Sequence, residues 1–390
     1  MKTSEFRTRT MYKERQNIKV DGYWGSAIDI GYSAVKGFSP NSISCFPSYA
    51  KCGDWEGVKL SENEQNNNLI LYKNNITGEK WVVGAQAQNL VSISESIDSG
   101  EILYARNRYI TPLFKVIAET GIGINMLSNG VGSINDDSLM IQTGLPSSYF
   151  KPDAMALKEA LAGEHSYSIK LGNRNWQQFN YNLPLSNIRV IQQPIGTLKS
   201  ICYDKNGNLV SDAEKYKNSK ILIIDPGFKT LDTVYLMNGE VKDCQTHESL
   251  GMFRILRDVS GEINKECNIE IPVHAIQSYL ESGFVPKFNA KDFSTEPFYF
   301  DDIIERCSNA VCMEALAMLR SAYNDFLQVD YVVLTGGTGA AWSNTVRDYL
   351  KNMKTISVLS GNQNDDIPYQ LSNVRGYYMH LYERLKALAV

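Results

Sequence analysis

The chain reads as an α/β protein of two domains, each a sheet whose faces are covered by helices. Three observations carry that reading. Its 390 residues exceed the roughly 250–300 at which a single hydrophobic core stops growing. Short β-branched or aliphatic runs bounded by Gly, Pro or Asp alternate with stretches whose apolar residues recur every three or four positions, which is the alternation of covered sheets. Two of the apolar runs also end alike. Ala27-Ile-Asp-Ile-Gly-Tyr-Ser-Ala-Val-Lys36 and Ile221-Leu-Ile-Ile-Asp-Pro-Gly-Phe-Lys-Thr-Leu-Asp232 each take a strand into an acid and a Gly-containing turn, as two related halves would.

Along the chain, strands are expected at Ser26–Ile30, Lys80–Val83, Ser138–Thr143, Ile188–Ile191, Lys220–Ile224, Thr233–Met237 and Tyr331–Leu334. A helix is expected over Tyr104–Thr120, with Tyr109, Leu113, Val116, Ile117 and Thr120 on its apolar side. Ile304, Cys307, Val311, Ala315, Met318, Ala322 and Phe326 mark a helix face leading into the Tyr331 strand, and Val374, Tyr377, Leu381, Leu385 and Leu388 mark a C-terminal amphipathic helix. Asn206-Gly207 reads as a hairpin tip. The first 23 residues are polar and lack the apolar core of a signal peptide, so a flexible extension is expected there. The domains then fall at 24–190 with 371–390, and at 191–370. The polar stretch within about 50–100 reads as a small insertion subdomain of the first, and about 251–300 as a small subdomain of the second.

Composition excludes several classes. A net charge of −4 and a pI near 5.7 give no global pull toward nucleic acid. No apolar run reaches the ~18 residues of a membrane span. Seven cysteines without a C-x-x-C pair fit reduced, mostly buried thiols in a cytosol rather than disulfides or structural zinc. His165, His247, His274 and His380 lie in unrelated contexts, and none pairs by spacing with a nucleophile.

The acid–glycine turns carry the chemistry. Phosphates need donors that approach without side-chain obstruction, which the N–H groups of a tight turn supply and Gly permits. Magnesium takes oxygen ligands and keeps several waters, so one or two Asp suffice. Asp29 and Asp225 end their strands where such an ion would sit, with Lys36 as a cationic partner and Ser33 and Thr230 as hydroxyl donors. Either turn alone is a common structural device. A third element, Tyr331-Val-Val-Leu-Thr-Gly-Gly-Thr-Gly-Ala340, takes another buried strand into a bare Gly-rich turn suited to lie against an adenine or ribose.

This order of hairpin, connecting segment, hairpin and Gly-Gly turn resembles the actin, Hsp70 and sugar-kinase superfamily. Within it the chain is similar to bacterial actin-like proteins of the plasmid-segregating (ParM) type. Trp81-Val-Val-Gly-Ala-Gln-Ala87, Thr143-Gly-Leu-Pro146, Val190-Ile-Gln-Gln-Pro-Ile-Gly-Thr197 and Asn373-Val-Arg-Gly-Tyr377 add to the likeness, which spans most of residues 24–380. The resemblance implies an actin-like (ribonuclease H-like) two-domain fold with a nucleotide cleft between the domains. It assigns Asp29, Gly31, Tyr32, Ser33 and Lys36 to the first phosphate loop, and Asp225, Gly227, Phe228, Lys229, Thr230 and Asp232 to the second. Gly336, Gly337 and Thr338 fall in the adenosine turn. Gln193 matches the residue that orients the attacking water, with Gln192 as its neighbour. Asp29 and Asp225 would hold Mg2+ through water. Two departures stand out: Phe228 occupies a loop that usually carries small residues and should restrict its wrap around phosphates, and Tyr32 replaces a small hydroxyl residue.

By the same resemblance the chain is a cytoplasmic ATPase, with GTP as the alternative nucleotide. It would polymerise into a helical filament and move or segregate plasmid DNA through a DNA-binding centromere adaptor, without touching DNA itself. A small-molecule kinase of the same superfamily is the alternative, but Val190–Thr197 offers no acid to act as base and Asp204 lies in a turn. A nucleotide-binding scaffold without turnover is the other. An Hsp70-like chaperone would need a peptide-binding module after the last helix.

Overall fold

The apolar runs ahead of Asp29 and Asp225 become central strands of two separate sheets. The structure, a computed structural model, describes residues 2–53, 69–90, 108–135, 137–289 and 291–389. In chain order the elements are β1 (Met11–Glu14), β2 (Tyr23–Ile30), β3 (Ala34–Phe38), β4 (Ser42–Pro47), β5 (Ala50–Cys52), β6 (Ile70–Asn74), β7 (Lys80–Val83), α1 (Ala85–Leu90), α2 (Pro112–Met126), β8 (Ser138–Leu145), α3 (Ser147–Leu161), β9 (Gly163–Leu171), β10 (Gln177–Leu183), β11 (Ile188–Gln192), α4 (Gln193–Cys202) and α5 (Ala213–Lys217). They continue with β12 (Lys220–Pro226), β13 (Leu231–Met237), β14 (Glu240–His247), α6 (Met252–Cys267), α7 (Val273–Tyr279), β15 (Phe284–Asn289), β16 (Ser294–Tyr299), α8 (Asp301–Ala322), β17 (Tyr331–Leu334), α9 (Gly337–Leu350), β18 (Ser357–Ser360) and α10 (Ser372–Leu388). Residues 8–213 and 362–390 form one unit; residues 1–7 and 214–361 form the other.

In the first unit the main sheet runs β1-β4-β3-β2-β8-β11. Strand β2 is covered on both faces, and its alternation assigns each residue to one of them. Trp24 donates from Nε1 to the Asn125 carbonyl of α2 (3.1 Å), Ser26 takes the Asn125 amide (2.8 Å), and Ile28 lies against Gly121. On the opposite face Gly25 lets Tyr378, Leu381 and Leu385 of α10 close in. Three of the sequence signatures meet there. A Cβ on Gly144 or Gly196 would strike the Tyr377 ring, one on Gly376 would land on the Gly196 carbonyl, and Thr197 donates to Asn373 Oδ1 at 2.5 Å. Helix α4 is thereby held against α10, and the chain passes between units at 213/214 and 361/362 rather than at the 190/191 and 370/371 read from the sequence.

A second sheet of this unit, β10-β9-β6-β7-β5, is antiparallel throughout. It combines the expected insertion with β9 and β10 from well beyond it; residues 54–68 and 91–107 lie outside the described residues. The helix expected over Tyr104–Thr120 begins only at Pro112, where Thr111 Oγ1 accepts the Phe114 N–H (3.2 Å), and runs on to Met126. Tyr104 lies outside the described residues. Nor is the N-terminal stretch a loose leader. Thr3–Phe6 is a 3-10 turn in the second unit, its Thr3 N–H donating to Asp301 Oδ1 (2.7 Å), while β1 pairs with β4 from Met11↔Cys45 to Glu14↔Ser42. An edge strand needs only a ladder on one side and no apolar run, so composition does not announce it.

The second unit repeats the plan. Its main sheet runs β14-β13-β12-β17-β18, an antiparallel meander followed by two parallel strands. The first unit's β4-β3-β2-β8-β11 has the same order and the same directions. Helix α8 stops at Ala322, short of the expected Phe326, because Asn324, Asp325 and Phe326 all take positive φ. Helices α6 and α7 and the β15–β16 hairpin follow the meander in this unit.

Candidate functional site

Each meander turns at an acid–glycine loop, and the two loops are built alike. In the first, Asp29 stands opposite Lys36 in the β2–β3 register, and the turn closes with Gly31 N–H to Ala34 O at 2.9 Å. In the second, Asp225 stands opposite Asp232 in the β12–β13 register, and Gly227 N–H reaches Thr230 O at 2.8 Å. Seven residues separate acid and partner in both. Tyr32 therefore corresponds to Phe228, and Ser33 to Lys229.

The first loop converges with the start of α4. Asp29 is 2% exposed; its Oδ2 accepts Lys36 Nζ at 2.9 Å, and its Oδ1 faces Gln193 Nε2 at 3.4 Å. Gln192 ends β11 with its Oε1 buried and lacking a hydrogen-bond partner among the described residues, so Gln193 is the glutamine that meets Asp29. Behind the loop, the Gly31 carbonyl accepts Ser48 Oγ (2.9 Å) and Arg108 Nη1 (3.1 Å), and Arg108 Nη2 also donates to the Ile30 carbonyl. The guanidinium lies 4.3 Å from the Tyr32 ring centre. Burial lowers its pKa, while Tyr32, Tyr109 and Asp29 act to raise it.

The second loop is backed by a helix. Gly227 O accepts the Met252 N–H (3.0 Å) and Thr338 Oγ1 (3.2 Å), and Phe228 O accepts the Phe253 N–H (2.7 Å), so the first turn of α6 donates into the loop's carbonyls. Gly251 permits this: a Cβ there would lie 2.6 Å from Phe228 O. The Phe228 ring meets Phe253 edge-on at 6.2 Å, so the bulk expected to crowd the loop is directed onto α6. Asp232 accepts Thr230 Oγ1 at 3.1 Å and Thr246 Oγ1 on its other oxygen. Burial, with a smaller push from the Asp225 charge, raises its carboxyl to about 7 against the lowering by both hydroxyls. Gly336 caps α9 at φ +77°, and a Cβ there would collide with Asp225 Oδ1. Both the conformation and the space require glycine. Gly337 and Thr338 open the helix.

The sequence-selected residues thus form two clusters at the C-terminal ends of parallel strands: Asp29, Gly31, Tyr32, Ser33, Lys36 and Gln193 in one unit, and Asp225, Gly227, Phe228, Lys229, Thr230, Asp232, Gly336, Gly337 and Thr338 in the other. Such strand ends are where open α/β sheets take ligands. Arg108, Ser48, Thr246 and Gly251 escape the sequence reading. Arg108 stands 77 residues from Gly31, and no local pattern announces that contact; Gly251 ahead of an apolar-periodic helix is the one available signal. No group of three or more His, Cys, Asp or Glu side chains gathers to hold a metal among the described residues. What the clusters offer is hard carboxylate oxygen and close backbone, the donor chemistry of a hydrated magnesium ion and a phosphate.

Comparison with known proteins agrees with this architecture. Residues 27–196 match the family model of the actin-like proteins' N-terminal domain. A non-polymerisable quadruple mutant of pCBH ParM is 20% identical, with a TM-score of 0.70 over 93% of this chain and 99% of that one. A 15-stranded ParM filament from Clostridium botulinum is 19% identical, with a TM-score of 0.69 over 94% and 99%. An archaeal actin homologue solved in complex with ADP is 14% identical, with a TM-score of 0.59 over 93% and 99%. No curated protein matches by sequence. The chain has the actin-like fold.

Proposed function

We propose that this protein is an ATPase that assembles into helical filaments under nucleotide control and moves or segregates plasmid DNA through a DNA-binding adaptor. The observation that carries the reading is the duplication of the acid–glycine hairpin, with the same register, the same closing bond and carbonyls secured from behind in both units. The filament and ADP complexes among its structural neighbours support self-association and adenine nucleotide as the starting hypotheses. GTP remains the alternative to be tested beside ATP.

In this reading the Tyr32, Ser33, Phe228 and Lys229 backbone, with Lys36 and Thr230, receives the phosphates, and Gly336, Gly337 and Thr338 receive the adenosine. Mg2+, when bound, neutralises charge on the phosphoryl oxygens. Asp29 and Asp225 would hold it through bound water. The two hairpins differ in charge: Asp29 faces Lys36, whereas Asp225 faces a second acid, Asp232. Gln193 positions the attacking water and takes no proton, as amides do in other nucleotidases. What weighs against Asp204 as the base of a kinase is that its Oδ1 already accepts the Asn206 and Asn208 N–H groups of its own turn (2.8 and 2.9 Å).

The net charge of −4 suits attachment to DNA through a partner. Among the described residues no helix is long and apolar enough to cross a membrane, and none of the seven cysteines is in a disulfide; both accord with a cytoplasmic site of action. Pelleting and negative-stain microscopy with ATP, ADP, GTP and a slowly hydrolysed analogue test assembly, which should require triphosphate. Asp225→Ala should abolish magnesium-dependent phosphate release. Unchanged release would reject the role given to Asp225.

A further inference from the structure

We infer that Arg108 is a positioning residue of the first phosphate loop, aiming the Tyr32 N–H by holding the two carbonyls that precede it. The inference rests on the nucleotide reading above.

A trans peptide is planar, so a carbonyl and the N–H of the next residue point in opposite directions. Fixing the Ile30 carbonyl fixes the Gly31 N–H, which is found on Ala34 O at 2.9 Å. Fixing the Gly31 carbonyl, held by both Arg108 Nη1 and Ser48 Oγ, aims the Tyr32 N–H to the opposite side. The second hairpin reaches the same result by another route. There the Gly227 and Phe228 carbonyls are taken by the Met252 and Phe253 N–H groups and by Thr338 Oγ1, which aims the Phe228 and Lys229 N–H groups away from α6. One loop is set by a helix N-terminus and the other by a side chain.

A planar fork is suited to that task. Arg presents its donors in a fixed geometry and stacks on aromatic faces, whereas a Lys ammonium does neither. Arg108 uses all of this: two successive carbonyls, the Tyr32 ring at 4.3 Å and the Phe114 ring at 5.5 Å. It is 8% exposed, and a guanidinium is costly to bury unless its donors are met. Its charge also sits directly behind the turn, where it adds to the attraction for an anion in front.

The test is the affinity of the full chain for ATP analogue, ADP and adenosine, measured by calorimetry for the native protein, Arg108→Gln and Arg108→Lys. Loss of aiming should weaken both phosphorylated ligands by roughly tenfold or more, the scale of one charge-assisted hydrogen bond, and leave adenosine within about twofold. Arg108→Lys should resemble Arg108→Gln, and guanidinium ion added to Arg108→Ala should restore part of the loss. A merely structural role would weaken adenosine equally and resist rescue. If Arg108→Gln does not fold, Arg108→Lys and the rescue carry the test. Unchanged ATP and ADP affinity in the variants overturns the inference and leaves the nucleotide reading standing. A native chain that binds ATP no better than adenosine overturns both.

Discussion

Asp232 shows how a single side chain records the chemistry of its loop. Lys36, at the matching register position of the other hairpin, neutralises its acid; Asp232 instead adds a second one beside Asp225. Burial and that neighbour raise its carboxyl to about 7 from an ordinary 3.8. A folded pKa above the unfolded one means that the folded state holds the proton more tightly. The stability this contributes is complete below about pH 4 and is lost as the pH rises through about 7. Each tenfold gain in proton affinity corresponds to about 1.4 kcal/mol, so the loss by pH 8 is on the order of 4 kcal/mol. Asp232→Asn keeps the shape without the titration. Urea denaturation of the nucleotide-free protein should show the native chain weakening from pH 5 to pH 8 far more than the variant. Parallel profiles would mean that Asp232 does not titrate in this window.

Among elements, the crossing of α4 and α10 separates what the sequence discloses from what it hides. Gly196 and Gly376 bring two buried helices into backbone contact. Gly376→Ala must push them apart, and overpacking of this kind costs about 1–3 kcal/mol or more. Gly261, in the middle of α6, has open space where a methyl group would stand, with nothing within 4 Å. Gly261→Ala should therefore stabilise by about 0.5–1 kcal/mol through helix propensity. Melting temperatures moving in opposite directions would bear out both placements; equal shifts would contradict the crossing. Elements built on a short β-branched or aliphatic run are legible from composition: Lys80–Val83 and Tyr331–Leu334 have the bounds expected of them. Strands β9, β10 and β14 are not, because polar and charged residues along them leave no run and their pairing depends on distant partners. The site divides in the same way. Its acids and glycines stand in local motifs, whereas Arg108 acts through a fold-made contact that no spacing encodes.

For the whole molecule the decisive question is whether the two hairpins serve one ligand. Each unit carries its own acid, its own closing bond and its own secured carbonyls, so either could bind an anion alone. If both act on one magnesium-bound triphosphate, ligand at a hundredfold excess over its dissociation constant adds about 2.7 kcal/mol to the stability of the state that holds it. Hydrogen exchange reads this separately at each place. A slowly hydrolysed ATP analogue with Mg2+ should slow exchange of the Tyr32 and Ser33 amides and of the Phe228 and Lys229 amides together, with one shared concentration dependence. Adenosine alone should protect the segment around Gly336–Thr338 and leave both hairpins as they were. In Asp225→Ala the protection should weaken at Tyr32 as well as at Phe228, although the substitution lies in the other unit. Protection confined to one hairpin, or two different midpoints, would mean that the duplicated turns bind separately and that the fold's internal repeat is not used as a clamp.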